Sequence, residues 1–486
     1  MKIISNGQWI LLSLFSIFLI TSSCQKKISG GDNPTANPPK PEPAKTDVSF
    51  FLTTGDRGSQ FSKQNISLLF STASNQNSTI EVDASKTYQS IDGFGYTLTG
   101  GSASLINALP LAAKETLLKE LFLTDSNNIG VSYLRISVGA SDLSEVPFTY
   151  DDMSAGQTDP ALNNFNIDRE RTDLIPVLKQ IIALYPEIKI MASPWTAPTW
   201  MKSNNSFIGG KLKPEYYSVY AKYLVKYIQA MKAEGITIDA STPQNEPLHD
   251  GNNPSMYMLA SEQAEFIKNH LGPAFEAANI KTKIIIYDHN ADKPEYPISI
   301  LNDPQAKKYI DGSAFHLYGG EINALSTVHN AHPDKGIYFT EQWVGGPGNF
   351  AGDLQWHVQN LIIGATRNWS RNVLEWNLAA DQNYRPHTNG GCTNCLGAIT
   401  IANNTVTRNV AYFIIAHASK FVRPGAVRIE SNNLASLQNV AFKTQDGKKV
   451  LIVLNTGSSS QTFNIKTDGK FVSSTLANGA VGTYVW

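Results

Sequence analysis

Two glutamates could carry chemistry, because each ends a run that otherwise has the apolar character of a buried strand. Glu246 lies in the sequence QNEP at 244–247, and Glu341 lies in TEQW at 340–343. Burial of a carboxylate in such a run costs free energy, so it usually indicates a functional role or a hydrogen-bonding partner. Two carboxyl groups that face one cavity can hydrolyse a glycosidic bond, since one protonates the departing oxygen while the other attacks the anomeric carbon. The sequence therefore predicts that Glu246 and Glu341 form a catalytic pair.

Three residues near the ends of other candidate strands could support this pair. Arg135 is a candidate cation to keep one carboxylate ionised, and Tyr318 could donate a hydrogen bond to the same carboxylate. Asn245 could hold the 2-hydroxyl of a sugar, a contact that strengthens in the transition state. The sequence also allows structural roles, with Arg135 as a buried ion-pair partner and His316 as a satisfied core histidine.

A repeating pattern of strands and helices must position these residues. Helical stretches with apolar residues at three- and four-residue spacing separate the strands, most clearly over 216–232. Eight candidate strands begin at Gly93, Ser132, Ile188, Thr237, Thr282, Ser313, Ile337 and Asn372. This alternation predicts a parallel sheet with crossover helices, and eight units predict a closed (β/α)8 barrel. Functional residues of such barrels lie at the carboxyl ends of the strands, where Glu246 and Glu341 are expected.

The segments on either side of the barrel, which we assign to 93–410, have a different pattern. Residues 411–486 contain short alternating strands broken by Gly, Asn and Ser, and they predict a β-sandwich. Residues 48–92 contain a few short strand candidates, including ISLLF at 66–70 and STIEVDAS at 78–85. Because so few strands do not make a stable sheet alone, we expect them to join the C-terminal sandwich.

The N-terminus has the composition of a targeting segment followed by a linker. Residues 1–24 resemble a lipoprotein signal peptide, with an apolar run that is short for a membrane span, then Ser-Ser and Cys24. Acylation of Cys24 would tether the protein in a bacterial cell envelope, facing the periplasm or the cell surface. Thr21 stands where such sites usually have Leu, so ordinary secretion is the alternative. Residues 25–47 are rich in Pro, Gly, Asn and Lys, which is typical of a linker.

The other cysteines and the net charge limit the kinds of partner. Two residues separate Cys392 from Cys395, and in an exported protein we expect these cysteines to form a disulfide that staples a loop. The sequence has no second cysteine pair to complete a four-thiolate zinc site. The formal net charge of −1 argues against a nucleic-acid partner. We expect a monomer with a carbohydrate substrate, no metal or organic cofactor, and membrane contact only through a lipid anchor.

The motifs from Tyr88 to the C-terminus resemble those of glycoside hydrolase family 30, which contains glucosylceramidases, β-1,6-glucanases and some xylanases. The matching stretches are QSIDGFGYTLTGGSA from Gln89, LRISVGASDLS from Leu134, ASPWTAPTWMK from Ala192, PQNEP from Pro243, FHLYGG from Phe315 and FTEQW from Phe339. Asn-Glu-Pro alone recurs across related barrels, whereas the ordered set is specific. The resemblance implies a retaining mechanism, a covalent glycosyl-enzyme and carboxyl groups about 5–5.5 Å apart.

The resemblance also implies a role for each matching residue. Glu246 corresponds to the acid/base and Glu341 to the nucleophile. Arg135 resembles the arginine that supports the nucleophile, and Asp142 resembles an aspartate that binds a sugar hydroxyl. Tryptophans at a barrel mouth are also common packing residues, but the resemblance implies a set of subsite residues around a bound glucose: Trp195, Asn245, His316, Tyr318 and Trp376.

The substrate is less constrained than the reaction. The stretch at 384–396, which contains the cysteine pair, departs from the glucosylceramidases and looks like that of bacterial β-1,6-glucanases. We therefore predict cleavage of β-D-glucosidic bonds, with β-1,6-glucan as the substrate. A glucosylceramidase or a xylanase of the same family is one alternative, and a non-catalytic glycan-binding lipoprotein is an alternative from another class.

Overall fold

The computed structural model describes residues 44–486, so the predicted signal peptide, Cys24 and most of the predicted linker lie outside the described residues. Within this range the strands are β1 (Ser49–Thr53), β2 (Ser62–Lys63), β3 (Ser78–Ser90), β4 (Gly93–Thr97), β5 (Tyr133–Val138), β6 (Lys189–Pro194), β7 (Ala240–Ser241), β8 (Lys283–Ala291), β9 (Ile310–Gly320), β10 (Gly336–Glu341), β11 (Val344–Gly345), β12 (Ser370–Asn377), β13 (Ala379–Ala380), β14 (Cys395–Leu396), β15 (Ile399–Ala402), β16 (Thr405–Arg408), β17 (Val427–Ser431), β18 (Leu437–Lys443), β19 (Lys449–Asn455), β20 (Gln461–Thr467), β21 (Lys470–Leu476) and β22 (Val481–Val485). The α-helices are α1 (Gly100–Asn107), α2 (Leu111–Phe122), α3 (Leu174–Leu184), α4 (Tyr217–Ala233), α5 (Ala260–Phe266), α6 (Gly272–Ala277), α7 (Glu295–Leu301), α8 (Pro304–Lys307), α9 (Ala324–Ala331), α10 (Phe350–His357) and α11 (Val410–Ser419). No helix in the described range is both long and apolar enough to cross a membrane.

Eight parallel strands close into a barrel in the order β4, β5, β6, β7, β8, β9, β10 and β12, and β12 pairs with β4. They correspond to the eight strands that the sequence predicts, which confirms the (β/α)8 fold. A buried layer receives one side chain from each of seven strands: Tyr133, Met191, Ala240, Ile285, Ala314, Tyr338 and Leu374. Such packing fills a barrel interior and leaves functional groups at the carboxyl ends of the strands.

A nine-stranded sheet in the order β2-β1-β22-β19-β18-β17-β3-β20-β21 forms the β-sandwich. The N-terminal strands pair with C-terminal ones, since β1 pairs with β22 and β3 pairs with both β17 and β20. Apolar side chains from both segments share one core that includes Phe50, Ile80, Leu451 and Tyr484. The N-terminal strands therefore complete the C-terminal sandwich, as the sequence predicts.

The structure corrects two expectations about the segments beside the barrel. Val410–Ser419 forms α11 and not the start of the sandwich, and all of its residues are buried. A short run that is apolar on every side does not distinguish a buried helix from a strand, which explains the error. Residues 66–70 form no strand, because only Leu68 among them is buried, and its carbonyl accepts the amides of Asp47 and Val48.

Candidate active site

A cavity of about 550 Å³ opens at the carboxyl ends of the barrel strands. Seven of the nine predicted site residues contribute to its lining: Asp142, Trp195, Asn245, Glu246, Tyr318, Glu341 and Trp376. Its rim also includes Trp343, two histidines and the cysteine pair. A larger recess of about 720 Å³, lined by the sandwich and the segment after α11, contains neither glutamate. Because Glu246 and Glu341 both line the cavity at the barrel mouth, this cavity is the candidate active site.

Glu341 is the last residue of β10, and both of its carboxylate oxygens accept a hydrogen bond. Arg135 on β5 donates from Nη1 to Oε2 at 2.5 Å, and the Tyr318 hydroxyl on β9 donates to Oε1 at 3.0 Å. This bonding favours the ionised carboxylate, because a proton on either oxygen would displace a donor. The three strands thus hold Glu341 as an anion facing the cavity.

Glu246 lies beyond its strand rather than at the tip, because β7 contains only Ala240–Ser241. The φ angle of Glu246 is +45°, a conformation that costs energy outside glycine and that clusters at functional sites. Its amide donates to the carbonyl of Asp288 at 2.9 Å, and its Oε1 lies 3.0 Å from His316 Nδ1. A hydrogen bond to β8 and a histidine of β9 therefore position this glutamate.

Asp288, which no sequence pattern singled out, connects the charged groups of the site. It is fully buried at the carboxyl end of β8, with a φ of +58°. Its Oδ2 accepts hydrogen bonds at 2.8–3.0 Å, and its Oδ1 makes contacts of 2.7 and 3.2 Å. The partners lie on β5, β6, β9, β10 and the segment just after β7, and they are Arg135, Ser193, His316, Thr340 and Thr242. The signal in the sequence was an acid directly after the apolar run IIIY of this strand.

His316 does not lie where the resemblance implies, around the sugar. It is fully buried and bridges Glu246 and Asp288, at 3.0 and 3.2 Å, so it acts on the carboxyl groups. Burial lowers the pKa of His316, but the carboxylates of Glu341, Asp288 and Glu246 outweigh burial and raise it to about 9. The imidazole is therefore charged at neutral pH, and both ring nitrogens donate.

The pKa values of the two glutamates shift in opposite directions. Burial acts to raise the pKa of Glu246, but the hydrogen bond and the charge of His316 outweigh it, and the pKa lies below its ordinary value. Burial raises the pKa of Glu341, with His316 and Arg135 opposing the rise and the charge of Glu246 adding to it. At neutral pH the proton of the Glu246–His316 contact therefore lies on His316, and the two net pKa shifts run opposite to the acid/base and nucleophile roles that the resemblance implies.

The loop that contains the cysteine pair lies against Asp142. Cys392 and Cys395 form a disulfide, and the amide of Cys392 donates to Asp142 Oδ2 at 3.3 Å. A β-carbon on Gly391 would lie 2.4 Å from the Asp142 carbonyl, so this close approach requires glycine. Asp142 Oδ1 is buried without a hydrogen-bond partner among the described residues, and burial raises the pKa of this carboxyl to about 7. The unpaired oxygen is available to a sugar hydroxyl.

Two stacked tryptophans and Asn245 surround Arg135 at the base of the cavity. The Trp195 and Trp376 rings are 5.4 Å apart, and the guanidinium lies 4.8 Å and 5.8 Å from their centroids. Each tryptophan is at most 3% exposed, so these rings pack on Arg135, and both also contribute to the lining of the cavity. The Asn245 side-chain oxygen accepts from Arg135 at 2.6 Å, which leaves its amide nitrogen as a donor.

Three residues of the site have the spacing of a metal site. Glu246, His316 and Glu341 each offer a ligand atom, and these atoms lie within 4.8 Å of one another. Arg135 and the charged His316 already supply positive charge to these carboxylates, so a further cation would be repelled at short range. The donor set fits proton transfer better than metal binding.

Comparisons with known proteins identify the family. Residues 91–422 match the glycosyl hydrolase family 30 TIM-barrel domain, and residues 425–484 match the glycosyl hydrolase family 30 β-sandwich domain. The chain belongs to glycosyl hydrolase family 30. The match to the barrel domain ends at residue 422, after α11, so the family comparison also assigns this helix to the barrel domain.

Relatives within family 30 differ in activity. The chain is 36% identical over 405 residues to an endo-1,6-β-D-glucanase of Aspergillus fumigatus, covering 78% of this chain and 81% of that relative. It is 28% identical over 431 residues to the lysosomal acid glucosylceramidase of Mus musculus, covering 82% of each chain. A solved endo-β1,6-glucanase superposes with a TM-score of 0.85 at 35% identity, covering 91% of this chain and 99% of that one.

Proposed function

We propose that this chain is a retaining glycoside hydrolase that cleaves β-1,6-linked glucan by double displacement. The observation that carries the proposal is the short distance between one oxygen of each catalytic carboxyl group. An oxygen of Glu246 and an oxygen of Glu341 lie within 4.8 Å of each other. Inverting enzymes need a separation of about 6.5–9.5 Å to admit a water molecule, whereas retaining enzymes have about 5–5.5 Å. The geometry therefore supports direct attack by one carboxylate.

The proposed first step joins Glu341 to the sugar. Its carboxylate attacks the anomeric carbon while Glu246 protonates the departing glycosidic oxygen. The proton comes from the contact between Glu246 Oε1 and His316 Nδ1, which are 3.0 Å apart. The aglycone sugar leaves, and a glucosyl ester with Glu341 remains. In the second step Glu246 accepts a proton from water, which attacks the anomeric carbon and releases the β-anomer. Arg135 and Tyr318 bind the carboxylate that is freed.

The preference for β-1,6-glucan is supported by the relatives and by the stapled loop. Identity is 36–37% to endo-1,6-β-glucanases of Aspergillus fumigatus and Neurospora crassa, against 28% to the mouse glucosylceramidase. Likeness to a solved family 30 xylanase, at 23% identity, shows the fold alone. A panel of pustulan, glucosylceramide, xylan and an aryl β-glucoside tests the substrate. Pustulan and the aryl glucoside should be cleaved, and release of xylose oligomers alone would refute the preference.

The nucleophile is tested by Glu341→Gln, which preserves shape and removes the attacking charge. We expect turnover of pustulan to fall by about four orders of magnitude or more, as for loss of a catalytic nucleophile elsewhere. Glu321→Gln, at an exposed position after β9, is the matched control and should keep wild-type turnover. Near-normal turnover by Glu341→Gln would contradict the mechanism. Binding of glucan by wild-type protein with no turnover would instead favour the glycan-binding alternative.

The stereochemistry provides an independent test of retention. Proton NMR of the first product should show the β-anomer before mutarotation, because two inversions restore the configuration. An α-anomer as the first product would contradict double displacement. From 2,4-dinitrophenyl β-glucoside, whose leaving group needs no proton, Glu246→Ala should yield a β-glucosyl azide in the presence of azide, since azide needs no general base to attack the glucosyl ester.

A further inference from the structure

Strand β8 is bulged at the point where it enters the active-site cavity. Its register with β9 shifts between Tyr287 and His289, and Tyr287 and Asp288 both have positive φ angles, +74° and +58°. In a regular strand, successive side chains point to opposite faces. Here Asp288 bonds to the buried Arg135 while its neighbour His289 also lines the cavity. The bulge therefore directs two consecutive side chains to the functional side, a known use of bulges beside active sites.

Asp288 supports the charged groups of the proposed mechanism, whereas His289 has no role in it. His289 is 6% exposed, and its ring packs edge-on against Tyr287 with centroids 5.7 Å apart. Its Nδ1 is buried without a hydrogen-bond partner in the described part of the chain. Burial lowers the pKa of His289 to about 4, so the ring is neutral near pH 7. A neutral imidazole has one donor and one acceptor nitrogen, and an unpaired polar group in a buried place costs free energy.

His289 lies on the side of the cavity that belongs to Glu246. His289 directly follows Asp288, whose carbonyl accepts the Glu246 amide at 2.9 Å. Among the charged groups that act on the His289 ring, Glu246 has the largest effect, followed by His316, Asp292 and His249. Asp142, by contrast, is influenced most by Glu341 among its charged neighbours. The sugar that is attacked must lie against Glu341 and Asp142. The glycosidic oxygen that departs lies at Glu246, so the unit attached to that oxygen must extend toward His289.

We propose that His289 binds the leaving group, through a hydrogen bond from its ring to a hydroxyl of the sugar unit that departs when Glu246 protonates the glycosidic oxygen. The inference rests on the proposed function and adds the residue that selects a sugar as the leaving group. Two consecutive non-glycine residues with positive φ are costly. The bulge allows Asp288 to reach Arg135 while His289 lines the cavity that receives the substrate.

The test compares two substrates with different leaving groups. His289→Phe keeps an aromatic ring against Tyr287 and removes both nitrogens. We expect kcat/KM for β-1,6-linked gluco-oligosaccharides to fall about tenfold, the effect of losing one buried hydrogen bond. The kcat/KM for 2,4-dinitrophenyl β-glucoside should not change, because this leaving group has no sugar hydroxyl and needs no proton. His289→Gln, which restores a donor and an acceptor, should recover part of the oligosaccharide activity.

The matched control is His329→Phe, since His329 stacks on Trp369 outside the cavity, and both activities should stay at the wild-type level. Equal losses on both substrates for His289→Phe would overturn the inference, and so would full oligosaccharide activity. If His289→Phe does not fold, as judged by thermal unfolding, His289→Leu gives the same comparison. Wild-type protein that cleaves the aryl glucoside but no β-1,6-linked oligosaccharide would refute the proposed substrate, a result distinct from failure of the His289 assignment.

Discussion

At the scale of single residues, the site depends on how its buried charges are balanced. Arg135 is fully buried between Asp288 and Glu341, at 2.8 and 2.5 Å. The charged His316 contacts both Asp288 and Glu246, so three carboxylates face two cations in this cluster. Buried charges are tolerated only when they are paired and hydrogen-bonded, so each of these groups is needed for the ionised form of the others.

Asp288→Asn tests this balance. It removes a charge and keeps the shape of the side chain, so Arg135 loses one partner and the pKa of His316 falls. We expect the free energy of unfolding in urea to fall by about 3 kcal/mol, the cost of breaking a buried pair. Turnover should fall as well, because Glu246 loses its protonated neighbour. Asp292→Asn, at an exposed position just after β8, is the control, and equal behaviour of the two variants would contradict the role of Asp288.

At the scale of elements, α11 connects the barrel to the sandwich through a buried histidine. His417 Nδ1 lies 2.8 Å from the Thr483 hydroxyl on β22, and its Nε2 lies 2.8 Å from the Thr53 hydroxyl on β1. Burial lowers the pKa of His417 to about 3. The neutral ring thus joins one helix to strands from both ends of the chain.

This histidine predicts a pH dependence of stability. Since its pKa is about 3 in the folded state and 6.5 when unfolded, the unfolded chain binds more protons between these values, and stability is lost as pH falls below 6.5. The loss should be of the order of 4 kcal/mol by about pH 3. Urea unfolding of His417→Gln should show a smaller fall over this range than wild type. His249→Gln, at an exposed position, should match wild type, and an unchanged slope in His417→Gln would contradict the prediction.

The stapled loop is the second element with a testable consequence. Because the disulfide restrains the amide that donates to Asp142, the double variant Cys392→Ser/Cys395→Ser should loosen this carboxyl group, which we propose binds a sugar hydroxyl. We expect kcat/KM for gluco-oligosaccharides to fall about tenfold, the value of one hydrogen bond to a charged group. A reductant should produce the same loss in wild type and no further loss in the double variant. Full activity of the double variant would show that the staple has no part in binding.

At the scale of the whole molecule, we propose export and attachment to a bacterial cell envelope. The apolar segment before Cys24 supports export, and so does the disulfide, which persists in oxidising compartments. Cells that express wild type should incorporate radiolabelled palmitate into the protein, and Cys24→Ala should abolish the label and release the protein from the membrane fraction. Its kcat/KM should not change, because the described domains contain the site. A labelled Cys24→Ala protein would refute the anchor.

The sequence by itself determined the barrel, the sandwich and most of the residues around the cavity. Hydrophobic alternation marks eight strands, and parallel strands bring their carboxyl ends to one rim, so Tyr318 and Glu341 converge because each lies near the end of its strand. Arg135 is instead the third of the six residues of β5, and its long side chain reaches Glu341 from there. Local pattern is sufficient for this result, because strand order and direction follow from the βα repeat.

Only the tertiary structure decided the details that make the site work. The positive φ of Glu246, the bulge that directs Asp288 and His289 to the same side, and the burial of His316 behind Glu246 all depend on contacts between strands that are distant in the chain. The helical form of α11 also depends on its surroundings, because an apolar run buried on every side has no periodicity. Register and burial are properties of neighbouring elements, and no local sequence pattern contains them.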